Sequence, residues 1–433
     1  MDKFDVIVVG GRVGGSTLAS LLGAQGLDVL LLDRAAFPSD TLSTHVIYGD
    51  SFGIWERIGA WDSIEAFGSA KLWGISWIRD GRPDVRGRFW PVRGHDYCMC
   101  IRRLLLDEAL FINAANTPGV TAIQGARVTD LLWDGSSVTG VRFETRDQLG
   151  ASKESTAQAR LVAGCDGRRS TVAKLAGARQ YITEPPINFA FYTYVEGVDP
   201  GPEPEPMFEI WESDPIGGTP MLAECDAGIW MAIVYLPQEQ FDSFRQDKDG
   251  NFWKAMDSDP RIGPRLRSGT QLQPIKGAGD FVNFVREPIG DGWVLIGDAG
   301  QHKDPIFGQG IGDAVRSAEL LADCLFEAQS AGSDLGSALG TFRSKRDLDL
   351  VPNFQWMIQG RPTDLTEAEF DTIYDRLGTD PEQAERFINV FSHAVSGLEF
   401  FGRLNASALL GLEPAAFDMR QLASTRRMEG PYA

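Results

Sequence analysis

The sequence predicts an α/β protein in which a doubly wound, Rossmann-like nucleotide-binding domain carries an inserted antiparallel β-sheet domain and a helical C-terminal region. Three observations lead there. Residues 4–34, FDVIVVGGRVGGSTLASLLGAQGLDVLLLDR, run strand, glycine turn, helix, strand, acid, the order of a dinucleotide fingerprint. Between about 181 and 290, short strand-like apolar runs replace the helical pattern. Beyond 331 the apolar residues recur at helical spacing.

Val6-Ile7-Val8-Val9 is a β-branched run long enough for one buried strand. Gly10, Gly11, Gly14 and Gly15 follow. Leu18, Leu21 and Leu22 then stand at i, i+3 and i+4, and Gly26 stops the helix. Val29 to Leu32 form the second strand, which ends in Asp33. Gly10 permits the tight turn, and Gly15 lets the helix pack close to the strand. The helix start offers unpaired N–H groups to a pyrophosphate, and Asp33 accepts hydrogen bonds from a ribose. One position departs from the pattern. A strict G-x-G-x-x-G from Gly10 needs glycine at 12, where this chain has Arg12. Its guanidinium points either at a phosphate or into solvent.

Residues 101–115 read as a helix, and 119–146 as paired strands turning at Asp134-Gly135. Leu161-Val162-Ala163 is another buried strand. With a Trp-rich strand pattern from Leu72 to Ile78, these complete the first part of the nucleotide domain, residues 1–180. The inserted sheet domain, 181–290, has strands at Phe189 to Val195, Met207 to Trp211 and Ile229 to Leu236. The acidic proline run from Pro200 to Pro206 is a solvated hairpin loop. Residues 291–330 return to the nucleotide fold through the strand Trp293 to Ile296, Gly297-Asp298 and a helix from Gly312 to Gln329. Residues 331–433 form the helical region covering the substrate domain. Thr366-x-x-Glu369 reads as a capping box, and Asp380-Pro381 as a cap with proline at the first helical position. The apolar stretch from Phe387 to Leu412 reads as buried helices over the sheet.

The net charge of −19 argues against nucleic-acid binding, which needs a basic face, and disfavours anionic membranes. No run of ~18 uninterrupted apolar residues occurs, so no spanning helix is expected. The first strand begins near residue 4, which leaves no room for a signal peptide and leads us to expect a reducing, cytoplasmic setting. The five cysteines, Cys98, Cys100, Cys165, Cys225 and Cys324, are scattered and lack a C-x-x-C pair, and there are four histidines. No metal site or disulfide framework is expected. Cys98 and Cys100 share one strand face as small apolar residues.

Three more segments belong with the fingerprint. Arg103 opens the helix RLLLD at 103–107 and can set a bidentate cation on a phosphate. Asp166, in CDGRRS at 165–170, sits at a strand's carboxyl end, where α/β sheets bind ligands. Asp298, in GDAGQHKDPIFGQG at 297–310, follows an apolar strand and precedes a glycine-rich helix start.

These segments, with GGRVGGS at 10–16 and LLLDR at 30–34, occur in one order between residues 10 and 310. In that order the chain resembles the single-component FAD-dependent monooxygenases of the para-hydroxybenzoate hydroxylase-like superfamily. That superfamily also includes flavin halogenases and geranylgeranyl reductases. The resemblance implies a GR2-type FAD-binding domain. It implies FAD pyrophosphate contacts along Gly10, Gly11, Arg12, Val13, Gly14 and Gly15, and adenosine contacts at Asp33, Arg34 and Val128. Arg103 would meet a phosphate, and Asp166 would serve both FAD and the nicotinamide donor. Asp298, Pro305, Gly308, Gly310 and Ile311 would line the ribitol and the flavin edge. NADPH or NADH is the implied transient electron donor.

The implied reaction takes one oxygen of O2, through a C4a-hydroperoxyflavin, to an electron-rich carbon. It would be a hydroxylation or epoxidation of an aromatic or polycyclic small molecule, of the kind met in natural-product biosynthesis. The pocket is expected between the flavin and the inserted sheet, with Phe191, Tyr192, Trp211, Trp230 and Tyr235 in its wall. His45 and Asp304 are the polar catalytic candidates. Gln301 stands where many relatives have histidine. The alternatives are a flavin-dependent halogenase and an alkene reductase of the geranylgeranyl type. Halogenases carry W-x-W-x-I-P. The nearest segment here, Ile229-Trp230-Met231-Ala232-Ile233-Val234, lacks the second Trp and the Ile-Pro. A flavin disulfide oxidoreductase needs a redox cysteine pair, which the sequence does not present.

Overall fold

A computed structural model describes residues 2–79, 81–146, 150–212, 217–359, 367–400 and 403–411. At its centre the strand Asp2–Val9 pairs in parallel with Val29–Leu32 on one side and Ser152–Gly164 on the other. Val120–Ile123 and Trp293–Leu295 extend this parallel array outward. The hairpin Arg127–Asp134 and Ser137–Arg146 joins antiparallel to Ser152–Gly164. Val6 and Val8 face the helices Val13–Ala24, Arg103–Asn116 and Gly310–Ser330. Ile7 and Val9 face the hairpin and the short helix Thr171–Leu175. Burial on both faces is why the strand is apolar without alternation. The parallel strands end together, so Gly10, Asp33, Asp166 and Gly297-Asp298 come to one sheet edge.

A second sheet runs Thr270–Gln271, Asn188–Glu196, Ile229–Pro237, Thr219–Glu224, Phe208–Glu212, Gly74–Arg79 and Val85–Arg88, with Lys276–Ala278 also on Asn188–Glu196. It differs from the sequence expectation in two ways. The Trp-rich segment near residue 75 joins this sheet rather than the nucleotide sheet. It also pairs in parallel with Phe208–Glu212, so the sheet is not wholly antiparallel. A local alternation of apolar residues marks a strand but does not select its partner. Within 181–290 the chain also forms the helices Phe241–Gln246, Lys248–Met256 and Gly263–Arg267, which cover the far face of this sheet.

The near face packs on the C-terminal helices. Asp380 caps Pro381–Phe391, accepting from the Gln383 N–H at 3.2 Å. Phe387, Phe391, Phe400 and Leu409 are buried in the same core as Tyr192, Tyr194 and Tyr235. The capping box at Thr366 lies outside the described residues. Among those residues, no helix is long and apolar enough to cross a membrane.

Candidate FAD and substrate site

The glycine turn is shaped by steric need. Gly10 has φ +102°, and a Cβ there would collide with the Cys165 carbonyl. A Cβ on Gly15 would overlap the Gly10 carbonyl oxygen, and one on Gly11 would lie 2.8 Å from the Phe111 ring. Val13 opens a helix whose Arg12 N-cap makes no side-chain cap bond. The first amides therefore remain available to an anion. Asp33 is buried and accepts from Gly11 N–H at 2.6 Å and Ala35 N–H at 2.7 Å. It clamps the turn from the neighbouring strand, a role the ribose reading does not include. Arg34 is exposed beside it. Val128 is buried on the adjoining hairpin, where the Ala126 N–H donates to the Asp33 carbonyl at 2.8 Å.

The Arg12 guanidinium does not project freely into solvent but is held by partners within the chain. It donates to Asp107, to the Ser39 carbonyl at 3.1 Å and to Ser39 Oγ at 3.0 Å. Arg103 donates to the same Asp107 at 2.8–3.0 Å. Asp107 is fully buried. One carboxylate facing two guanidiniums leaves a positive charge beside the uncapped helix start. A shaped glycine cradle, free helix amides and surplus positive charge fit a pyrophosphate. Sequence reading missed the role of Asp107, although its i, i+4 spacing from Arg103 was the available signal.

Asp166 is committed locally. It accepts from Ser170 Oγ at 2.5 Å, Thr171 N–H at 2.6 Å and Val172 N–H at 3.2 Å, capping the Thr171–Leu175 helix. Burial still raises its pKa above the usual carboxylate range. Both carboxylate oxygens thus already hold local donors, with Oδ1 accepting only the Ser170 hydroxyl. Asp298 lies in the 3-10 turn Gly297–Ala299, and burial raises its pKa against the opposing pull of His302 and Arg103. Asp304 accepts from Ile306 N–H at 3.1 Å, Asn188 N–H at 3.1 Å and Asn188 Nδ2 at 3.2 Å. It thereby ties the Pro305–Phe307 turn to the substrate sheet. Gly308 follows at φ +68°, and Gly310 and Ile311 begin the long helix.

The proposed pocket wall divides by strand alternation. Tyr192 and Tyr235 face the nucleotide side, whereas Phe191, Trp211 and Trp230 sit in the far-face core. Those three are therefore not on the wall that faces the cofactor segments. Side chains alternate across a strand, so Tyr194 and Trp77 share the near face with Tyr192 instead, and Phe307 and Phe391 pack onto it from the facing turn and helix. The tyrosine hydroxyls stitch the two layers together. Tyr235 donates to the Pro305 carbonyl at 3.3 Å, Tyr48 to the Phe307 carbonyl at 2.9 Å and Tyr192 to Asp40 at 3.4 Å. The fold also sets Cys100 and Cys225 Sγ 3.2 Å apart, a pairing hidden by their separation in sequence, and both thiols are free.

His45 is wholly buried with φ +63°. Its Nε2 lies 2.8 Å from Tyr194 Oη, and its Nδ1 has no hydrogen-bond partner among the described residues. Burial, reinforced by Arg103, pulls its pKa down to about 3. A neutral imidazole of that kind orients a phenol well and is a weak base at neutral pH. The same shift has a stability consequence. The unfolded chain takes up a proton near the ordinary histidine value while the folded chain does not. Stability is therefore complete above about pH 6.5 and falls as pH drops toward 3. Going from pH 7 to 5 should cost about 2 kcal/mol from this group. Urea unfolding at both pH values should show that loss in the wild type and less of it in His45→Asn. Equal losses would remove His45 as its source.

The FAD binding domain family matches residues 3–348. The chain is 27% identical over 338 residues to the tryptophan 2-halogenase of Chondromyces crocatus, covering 77% of this chain and 63% of that protein. It thus spans under two thirds of that relative's length. It is 25% identical over 399 residues to the digeranylgeranylglycerophospholipid reductase of Methanosarcina mazei, covering 87% of this chain and 89% of the reductase. In structure it superposes on the myxobacterial chondrochloren halogenase with a TM-score of 0.75 and 21% identity, over 95% of this chain and 97% of that one, a likeness of fold. The chain belongs to the FAD binding domain family and is an FAD-dependent oxidoreductase related to the flavin halogenases, hydroxylases and geranylgeranyl reductases.

Proposed function

We propose that the protein is a flavin-dependent halogenase acting on an electron-rich aromatic or polycyclic small molecule. The observation that carries this reading is the sequence likeness to a halogenase across 77% of the chain. The departure from W-x-W-x-I-P weighs less once its place in the fold is considered. Trp230, Ala232 and Val234 all lie on the far face of the sheet. Trp230 packs there under Arg265, whose guanidinium carbon is 5.7 Å from the ring. The missing second Trp alters that packing face, not the wall toward the cofactor segments.

Bound, reduced FAD supplies the electrons that activate O2 to oxidise a halide, or to oxygenate the substrate in the hydroxylase reading. The chain's own residues bind, orient and exclude water. Arg12 and Arg103, held by Asp107, present positive charge at the glycine cradle. Asp304 and Tyr235 hold the Pro305–Phe307 turn against the sheet. His45 fixes the Tyr194 hydroxyl, and the aromatic near face supplies an apolar wall.

The test is turnover with reduced FAD from a separate flavin reductase, O2, and chloride or bromide. A panel of indoles, phenols and pyrroles is offered, and products are read by mass. Halide-dependent products with the halogen isotope pattern are expected. A direct NADH- or NADPH-driven gain of one oxygen in halide-free buffer would replace this reading with the hydroxylase. That second reading draws on the absent Ile-Pro. Tyr194→Phe should lower product formed per reduced flavin several-fold, since it strands a buried imidazole. FAD content should be unchanged. Full product yield from that variant would take Tyr194 out of the site.

A further inference from the structure

A buried ionic cluster joins the flavin-edge segment to the C-terminal helices. Lys303 Nζ lies 2.8 Å from Asp313 and 2.9 Å from Gln309 Oε1. Arg316 donates to Asp313 at 2.9 Å and faces Asp50 at 3.6 Å. Its remaining acidic neighbour, half-exposed Asp349, is 3.6 Å away. His393 sets Nδ1 3.4 Å from Asp50 and Nε2 3.8 Å from Asp313. Gln309 Nε2 reaches across to the carbonyls of Val390 and Phe391 at 3.1 and 3.2 Å. Lys303, Gln309, Asp313 and Asp50 are all buried.

The backbone of His393 points the same way. It has φ +61° and stands just past Ser392, the C-cap of Pro381–Phe391. Glycine is the ordinary occupant of that left-handed position, and a residue with a Cβ is disfavoured there. Here the disfavoured residue places its imidazole beside two buried carboxylates. Strain held by surrounding structure at such a place suggests a role for the side chain. The two ends of the cluster also differ in what they touch. Phe391 belongs to the aromatic near face, while Gln309 precedes Gly310 at the helix start assigned to the flavin edge.

We propose that His393 and Gln309 are positioning residues that couple docking of the Pro381–Phe391 helix to FAD binding, so that each stabilises the other. The proposal rests on the reading that residues 303–311 border the flavin. Coupling of this kind is reciprocal, which makes it measurable without turnover.

The experiment compares amide hydrogen exchange of the full chain with and without FAD, alongside FAD titration by flavin fluorescence. In the wild type, FAD should slow exchange both at 303–313 and at 381–393. His393→Gly suits the left-handed backbone and removes only the imidazole. Gln309→Ala breaks the other arm of the cluster. Both should weaken FAD binding by about five- to tenfold, keep protection at 303–313 and lose it at 381–393. His393→Asn tolerates the same backbone and keeps an N–H for Asp50, so it should restore both readouts in part. If FAD fails to protect 303–313 in the wild type, the flavin-edge reading falls. If it protects 303–313 but not 381–393, the coupling falls and that reading stands. Wild-type affinity and protection in His393→Gly and Gln309→Ala would also overturn the coupling.

Discussion

Gly15→Ala should yield protein that neither retains FAD nor folds stably. The added methyl would overlap the Gly10 carbonyl oxygen, a backbone atom inside the turn itself. Gly10 cannot retreat, because it is wedged against the Cys165 carbonyl at φ +102°. Relief requires the Val13–Ala24 helix to move off the central strand. Overpacking ordinarily costs about 1–3 kcal/mol, and more where backbone must shift. Gly14→Ala is the comparison within the same motif. Its Cβ would meet Ala314 Cβ at 3.3 Å, with the other neighbours at 3.5 Å or beyond, so its thermal midpoint should lie close to wild type. Thermal unfolding and the visible flavin spectrum measure both effects. A yellow Gly15→Ala protein melting with the wild type would contradict the geometry of the turn.

Asp107→Ala should be nearly as damaging, with a distinguishing dependence on FAD. The carboxylate is fully buried and answers both Arg12 and Arg103. Removing one member of a buried ionic set typically costs about 3–5 kcal/mol, because the charge left behind is uncompensated. Here two guanidiniums would be left facing the helix start. A phosphate bound there restores part of the missing negative charge. The thermal shift produced by FAD should therefore be larger in Asp107→Ala than in the wild type, although the cofactor-free variant melts far lower. An FAD-induced shift equal to that of the wild type would mean that these arginines do not face the phosphates.

The parts of the molecule that were legible in the sequence are those whose meaning is local. Val6 to Asp33 encode a strand, a turn and a helix that contact one another directly, and Gly10 and Gly15 stand where the turn leaves no room for a Cβ. Asp380-Pro381 was legible for the same reason, since a cap acts within one helical turn. The roles of Asp166 and Asp304 were less so. Each stands where a cofactor contact is expected, yet the structure uses both carboxylates to cap short turns. A motif marks the position of such a residue but not which donors reach it first.

Where sequence and structure part, one cause recurs. Aromatic residues on strands suit a pocket, but alternation puts Tyr192, Tyr194 and Tyr235 on the near face and Phe191, Trp211 and Trp230 on the other. A shift of one residue exchanges the faces, and which face meets the nucleotide fold depends on packing. Arg12 is similar, since its partners Ser39 and Asp107 lie 27 and 95 residues away.

By itself, then, the sequence determined a dinucleotide-type nucleotide fold with an added sheet and a helical C-terminal region, because strand, turn and helix preferences are written in neighbouring residues, and FAD entered only through the family resemblance. Only the tertiary structure decided which aromatics face the cofactor segments, that Asp107 balances two arginines, and that His393 meets Asp50 across the chain. Those outcomes depend on sheet partner, strand face and helix docking, which are set by contacts between residues far apart in sequence and carry no local pattern.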